Sequence, residues 1–373
     1  MRLPITACVT RAPWSAAACR RFLILGRARK TGEKSGDKSP HSKLFAAAQL
    51  LAVLLAVSSC QDRASATAPA STSPAAPAGD DGSGISAAKA FEHMKRMVDF
   101  GPRPSGSPAI KKTQEYILSE LKSYGLKITE DDFMGDTPKG KIPMKNIIAE
   151  LPGASGDVVM LSGHYDTKLL PGFDGANDGA SSAAAVLEMA RVLAKTKPEY
   201  TIWFVFFDGE EAVVEWMGDD NTYGSRHLAA KLTAERGIKR VKAMLLVDMI
   251  GDAKLDMMKD ADSTPWLVDL VWKTAQRIGN GKNFLANEAG YSDDHIAFKN
   301  AGVPVLDMID FNYGPGNSYW HTKEDTIDKV SGESVKIVCD TVIKALPELF
   351  KLIKSGLPAE TQRVPNHAGG GAH

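Results

Sequence analysis

The stretch Thr201 to Ala230, TIWFVFFDGEEAVVEWMGDDNTYGSRHLAA, limits what this chain can become more than any other. From Thr201 to Phe207 it is continuously apolar or β-branched, with no glycine or proline. Such a run suits a strand buried on both faces of a parallel sheet. It then breaks into Asp208, Gly209, Glu210 and Glu211. Carboxylates crowded at the end of a buried strand are costly to desolvate unless a cation offsets the charge. The carboxyl ends of parallel strands are also where α/β folds place ligands. A solvated turn is the plainer reading, and it weakens as partners accumulate elsewhere.

Those partners lie at other predicted strand ends. Asp157 to Gly163 reads as a strand running into His164, Tyr165 and Asp166, and the loop PGFDGANDGASS follows with Asp174 and Asp178. Val241 to Val247 is a strand ending on Asp248, and Val303 to Ile309 is another, followed by a Gly/Asn/Pro loop that reaches Trp320 and His321. Imidazole and carboxylate donors on separate strand ends, without thiolates, describe a zinc hydrolase-type site better than a structural zinc site. Strands alternating with amphipathic helices give an α/β fold, one globular domain with a mixed, mostly parallel twisted sheet sandwiched by helices.

The expected helices are Ser86–Phe100 with Phe91, Met94 and Val98 inward, Pro108 to about Tyr124, and Ser181–Lys195 with an amphipathic stripe. Tyr223–Leu232, Leu267–Ile278 and Ser334–Ile353 complete the set. Met144–Leu151 reads as a strand, and the short PGASGD connection predicts that it pairs antiparallel with the strand before His164. Trp203 is expected in the core, and His227 in a structural role.

The order HYD, GANDGASS, DGEE, VDMIG and WHT resembles the zinc aminopeptidase/glutaminyl cyclase superfamily, the M28-like group. Within it, FFDGEEAVVEW followed by YGSRHLAAKL, with SDDHIAF before GVPVL, is similar to the animal-type glutaminyl-peptide cyclotransferases. The likeness covers residues 85 to 355. It implies the α/β fold above and one zinc ion, with Asp178, Glu211 and His321 as ligands. It also implies Glu210 as the proton shuttle, with Asp248 and Asp293 in a carboxylate network, Asp294 being the one-residue alternative to Asp293. Trp216 and Trp320 correspond to aromatic pocket walls. His164 and Asp248 hold a second metal in the two-zinc aminopeptidases, whereas in the cyclases they remain without that metal and the Asp joins the carboxylate hydrogen-bond network; that choice stays open.

The activity so implied is conversion of N-terminal glutamine of peptides or proteins to pyroglutamate with release of ammonia. A two-zinc aminopeptidase is the alternative, favoured by the GANDGASS form of the loop. A lipoprotein that keeps the fold only to bind peptide or metal is a third reading; it predicts a missing acid or ligand, and none of the expected positions is missing. The chain departs from the cyclase pattern at Asp307, where the family has histidine, and in the Gly-rich loop Asp310–Tyr319. Gly163 and Ala183 stand where the animal enzymes carry a cystine. His295 is expected to be a supporting residue.

Outside residues 85–357 the composition changes. Leu44 to Val57 is an apolar run too short for a comfortable membrane span, and it ends Val57-Ser58-Ser59-Cys60. Residues 1–60 are therefore expected to form an export region, with Cys60 as a lipoprotein processing site and possible lipid anchor, or else an ordinary secretory signal cleaved nearby. The protein would be a periplasmic or cell-envelope lipoprotein, otherwise secreted. Residues 61–84 read as a disordered linker and 358–373 as a disordered tail. With 45 basic and 45 acidic residues, nothing suggests nucleic-acid binding. Only Cys339 of four cysteines lies in the catalytic region, so no disulfide is expected there, and a monomer acting on peptide N-termini is the expected form.

Overall fold

The computed structural model describes residues 84–358. The expected export region, with Cys60, and most of the linker and tail lie outside them. Six strands form the main sheet: β1 (Lys127–Thr137), β2 (Gly140–Leu151), β3 (Ser155–His164), β4 (Tyr200–Phe207), β5 (Val241–Asp248) and β8 (Val305–Ile309). Their spatial order is β1-β2-β4-β3-β5-β8. The β4-β3, β3-β5 and β5-β8 pairs are parallel, while β1-β2 and β2-β4 are antiparallel. A small parallel pair, β6 (Met257–Asp260) and β7 (Phe284–Ala289), stands apart.

Alternation along the central strands creates two cores. On β4, Ile202, Phe204 and Phe206 face one core while Val205 and Phe207 face the other; on β5, Ala243, Leu245 and Val247 oppose Met244 and Leu246. The larger core is covered by α1 (Ala87–Val98), α2 (Pro108–Ser123), α3 (Ala180–Leu193), α5 (Pro265–Arg277) and α7 (Gly332–Ser355). The smaller is covered by α4 (Tyr223–Ala234) and α6 (His295–Asn300). This is the expected helix-sheet-helix sandwich.

Four expectations are corrected. β2 does not pair with β3. The two do run in opposite directions, but β4 lies between them, antiparallel to β2 and parallel to β3. The short connection crosses the start of β4: Ala154 and Ser155 donate backbone N–H groups to Pro198 and Glu199, and Gly153 passes so close that a Cβ would lie 2.2 Å from the Tyr200 carbonyl carbon. Second, α3 has no solvent stripe over most of its length, since every residue from Ala180 to Ala190 is buried. Its small side chains let it fit between the sheet and the α1 and α7 helices. Third, α1 buries Met94 and packs Val98 against the core as expected, but its inward face is completed by Ala90, His93 and Met97 while Phe91 is exposed. Fourth, Trp203 is only half-buried, its indole donating to Glu150 at 3.0 Å.

Gly224, in the first turn of α4, seats that helix against the end of β4. A Cβ there would lie 2.4 Å from Asn146 Oδ1 and 2.5 Å from the Asp208 carbonyl. Asn146 donates to the Gly224 carbonyl and accepts from the Asp208 N–H, so neither contact can yield freely. Gly224→Ala should therefore destabilise the fold by about 2 kcal/mol, as overpacking of a tight interior does. Urea unfolding monitored by tryptophan fluorescence measures this; an unchanged midpoint would contradict it.

Candidate metal centre and active site

The parallel strands deliver their chemistry to one edge. β3 ends on His164, β5 ends on Asp248, and β4 runs directly into Asp208–Glu211. Asp178 precedes α3, and His321 comes from the loop after β8.

The three carboxylates after β4 separate into different tasks. Asp208 turns back into the protein, accepting from the Lys145 N–H at 2.9 Å and the Tyr165 hydroxyl at 3.2 Å. Burial, then the nearby Asp166 charge, pushes its carboxyl up to about 7. Glu211 faces His321, with Oε1 3.1 Å from Nε2, and its other oxygen is 3.4 Å from Lys168 Nζ. Glu210 turns into the adjacent cavity, where burial and then the Asp293 charge hold its carboxyl well above the usual range.

Asp178 sits between two imidazoles. Its Oδ2 is 3.3 Å from His321 Nε2 and its Oδ1 is 3.4 Å from His164 Nε2. His164 Nε2 also lies 2.9 Å from Asp248 Oδ1, which accepts from the Ser182 hydroxyl. The donor atoms of Asp178, Glu211 and His321 lie within 4.8 Å of one another, and so do those of His164, Asp178 and Asp248. One imidazole and two carboxylates turned to a common point suit zinc, and Asp178 is placed to serve both groups. Burial alone would lower His321, but its contacts with Asp178 and Glu211 outweigh this and push it up to about 9. In a metal-free protein, then, a proton stands in for the cation that these acids face.

Backbone conformation at this edge is unusual for L-residues. His321, Met249 and Thr222 have φ of 52°, 49° and 45°. Such conformations cluster where function needs a side chain aimed against local preference.

The cavity beside these donors has a volume of about 480 Å³. Its walls are Trp216, Met249, Tyr291, Ile309, Phe311 and Trp320, and its floor presents Glu210, Asp248 and Asp293. Trp320 stacks on His321 with ring centroids 4.0 Å apart, and Phe311 packs on Trp320 at 4.8 Å. Trp216 is more than a third exposed and forms the rim. Asp293 lines the cavity, whereas the neighbouring Asp294 is fully buried and does not. Every residue singled out in the sequence for this site is thus brought to one edge.

Two supporting residues, Arg103 and Asp325, carried no clear signal in the sequence, and a third, Asp166, stands in the HYD strand end without a role that the sequence assigns. Asp166 accepts the N–H groups of both Glu210 and Glu211, at 3.1 and 3.2 Å, and so orients the pair. Asp325, four residues after His321, accepts the N–H groups of Asn177 and Asp178 and the Tyr313 hydroxyl. Arg103, from the GPRPSGSP segment, is fully buried and donates to the carbonyls of Tyr165, Asp174 and Gly175, clamping the loop that carries Asp178. A buried arginine leaves no periodic pattern, and a lone Asp in a polar loop looks solvated. His227 is structural as expected, stacked on Phe133 at 4.3 Å.

Asp310, at the start of the pocket loop, is fully buried, and burial pushes its carboxyl up to about 7 against hydrogen bonds from the Asp256 and Asn312 N–H groups. The folded protein then holds this proton up to about pH 7, whereas the unfolded chain releases it near pH 4. Stability from this group is complete below about pH 4 and is lost as pH rises to about 7, by at most about 4 kcal/mol. In chelator, Asp310→Asn should flatten that fall in urea unfolding between pH 4.5 and 7.5 (values of about this range follow from the shift). A slope equal to wild type would show that Asp310 is ionised throughout.

A sandwiched, mostly parallel sheet with histidine and carboxylate donors gathered at its carboxyl edge defines an α/β protein with a candidate metal centre. Residues 146–346 match the model of peptidase family M28, and the chain belongs to that family. It is 30% identical over 279 residues to a glutaminyl-peptide cyclotransferase of Drosophila melanogaster, covering 66% of this chain and 78% of that protein. The crystal structure of a glutaminyl cyclase from an Acidobacteriales bacterium aligns with TM-score 0.69 and 36% identity, over 76% of this chain and 99% of that one. A Zn-dependent exopeptidase from Parabacteroides distasonis aligns with TM-score 0.63 and 27% identity, over 70% and 98%. Within M28, the chain is an enzyme of the glutaminyl-peptide cyclotransferase kind.

Proposed function

We propose that this enzyme cyclises the N-terminal glutamine of peptides or proteins to pyroglutamate and releases ammonia. The observation that carries this reading is Glu210, a buried carboxyl outside the Asp178, Glu211 and His321 donor group, which faces an aromatic-walled cavity floored by Asp248 and Asp293. Asp178, Glu211 and His321 would hold one zinc ion. When bound, zinc supplies positive charge where the γ-carbonyl oxygen of glutamine becomes negative.

Glu210 takes a proton from the attacking α-amine as the new N–C bond forms. It returns a proton to the side-chain nitrogen as that C–N bond breaks, so ammonia leaves neutral and the carboxylate is restored. A carboxyl held above its usual range by burial is matched to such a two-way transfer. Asp293 and Asp248 orient that exchange from the cavity floor. Trp320 and Trp216 hold the glutamine folded on itself and exclude water, an entropic contribution that raises the rate of ring closure.

The two-zinc aminopeptidase is the second reading, favoured by the His164, Asp178 and Asp248 group, whose donors, like those of the first, fall within 4.8 Å of one another. The experiment that separates them offers the purified protein a glutaminyl peptide and, separately, leucyl and alanyl arylamides. Ammonia release with no arylamide cleavage is expected. Arylamide cleavage dependent on a second zinc would replace this proposal with the peptidase. We further propose the export region, the Cys60 anchor and the cell-envelope location from the sequence of residues 1–60, with 85–357 as the catalytic domain.

A further inference from the structure

We propose that Asp260, His295 and Asp307 form a second, structural cation site, for a divalent ion of the zinc class, behind the pocket wall. Asp260 closes β6, His295 opens α6 and Asp307 lies mid-strand in β8, so the small β6-β7 pair and the main sheet converge on it. All three side chains are buried, His295 and Asp307 completely. Their candidate donor atoms fall within 4.8 Å of one another.

His295 lies between the acids, with Nε2 3.3 Å from Asp260 Oδ2 and Nδ1 3.6 Å from Asp307 Oδ2. Neither ring nitrogen has a hydrogen-bond partner, and neither does either Asp307 oxygen. The buried Tyr291 hydroxyl nearby is also without one. Leaving so many buried polar atoms unmatched is costly. Donors of one tetrahedral zinc ion lie about 3.4 Å apart, for bonds of about 2.1 Å; one donor atom from each of the three residues already falls within 4.8 Å of the others, so the side chains need only close in on the ion. Among the described residues no lysine or arginine pairs with Asp260 or Asp307; His295 is the basic side chain against them.

The surroundings are fixed as ligand supports usually are. Ser263 donates its hydroxyl to Asp260 Oδ2 at 2.7 Å and accepts the Asp307 N–H at 2.8 Å, joining the two acidic residues through one side chain. Asp260 Oδ1 accepts the N–H groups of Asp262 and Tyr291. The ion would take one His295 nitrogen and one oxygen from each carboxylate. It would tie β8 to the segment carrying Asp293, two residues before His295, and so hold the pocket floor. The inference does not depend on which reaction the pocket performs.

Zinc per chain, measured by elemental analysis after exhaustive dialysis, tests it in wild type, Asp307→Asn, His321→Ala and the double variant. The expectation is that Asp307→Asn loses one equivalent, His321→Ala loses another, and the double variant loses both. Equal zinc in wild type and Asp307→Asn overturns the proposal and means that shared protons hold the cluster. Zinc-edge anomalous diffraction from wild-type crystals grown with zinc avoids any dependence on how the variants fold. A peak between His295 and the two carboxylates supports the site, and its absence there removes it.

Discussion

Replacing Glu210 by glutamine should lower kcat for a glutaminyl peptide by about 10³-fold, within the range that general acid–base catalysis contributes. Zinc content and melting temperature should stay at wild-type values. The side chain keeps its size, so the cavity keeps its shape, but the amide can neither accept the amine proton nor return one. Glu210 is also surrounded by the charges of Asp293 and Glu211, with His164 the opposing influence and its Nδ1 4.0 Å away. Removing one acid from such a cluster relieves repulsion, so an unfolded variant is not expected. Steady-state kinetics, elemental analysis and a thermal melt on the same sample test this together. If Glu210→Gln keeps more than about a tenth of wild-type kcat, proton transfer runs through another group and the general-base role fails.

Asp178→Asn should have the other large effect, and on two readouts. Substituting a group that merely orients a ligand costs about 10–100-fold in metal affinity; loss of a ligand carboxylate should exceed that range. Asp178 also lies against both His164 and His321, which together hold its carboxyl below the usual range although burial alone would raise it. For a depressed carboxyl, the stability it contributes is present above the unfolded value near pH 4 and lost as pH falls through the folded value. At neutral pH, zinc-free Asp178→Asn should therefore melt below zinc-free wild type, and zinc should raise the melting temperature of wild type by more than that of the variant. A variant that binds zinc within tenfold of wild type would exclude Asp178 as a ligand. Chelator competition provides that measurement.

Much of this site could be read from the sequence because donors follow strand ends, and strand ends show as abrupt stops in apolar runs. The breaks at Phe207, Gly163 and Val247 mark three of them, and the structure puts Glu210, Glu211, His164 and Asp248 at one edge as expected. What escaped had no such contrast. β1 has only Asp131 and Gly135 buried and reads KITEDDFMGDT, a charged edge strand without an apolar face. The β2-β3 error arose because loop length reports chain direction well but not adjacency; it contained no trace of β4 inserting between the two strands. Arg103 and Asp325 act through backbone groups of other segments, as Asp166 does from the end of β3, and that relationship exists only after folding.

Cys339 has a use that its burial makes available. It is fully enclosed on α7, with Sγ 3.7 Å from the Ala185 carbonyl of α3, and it is the lone cysteine among the described residues. A thiol reagent can reach it only when α7 lifts from α3, so the rate of labelling in native buffer counts such openings directly. Comparing the rate at Cys339 with and without zinc would show whether metal at the sheet edge steadies the interface between α3 and α7.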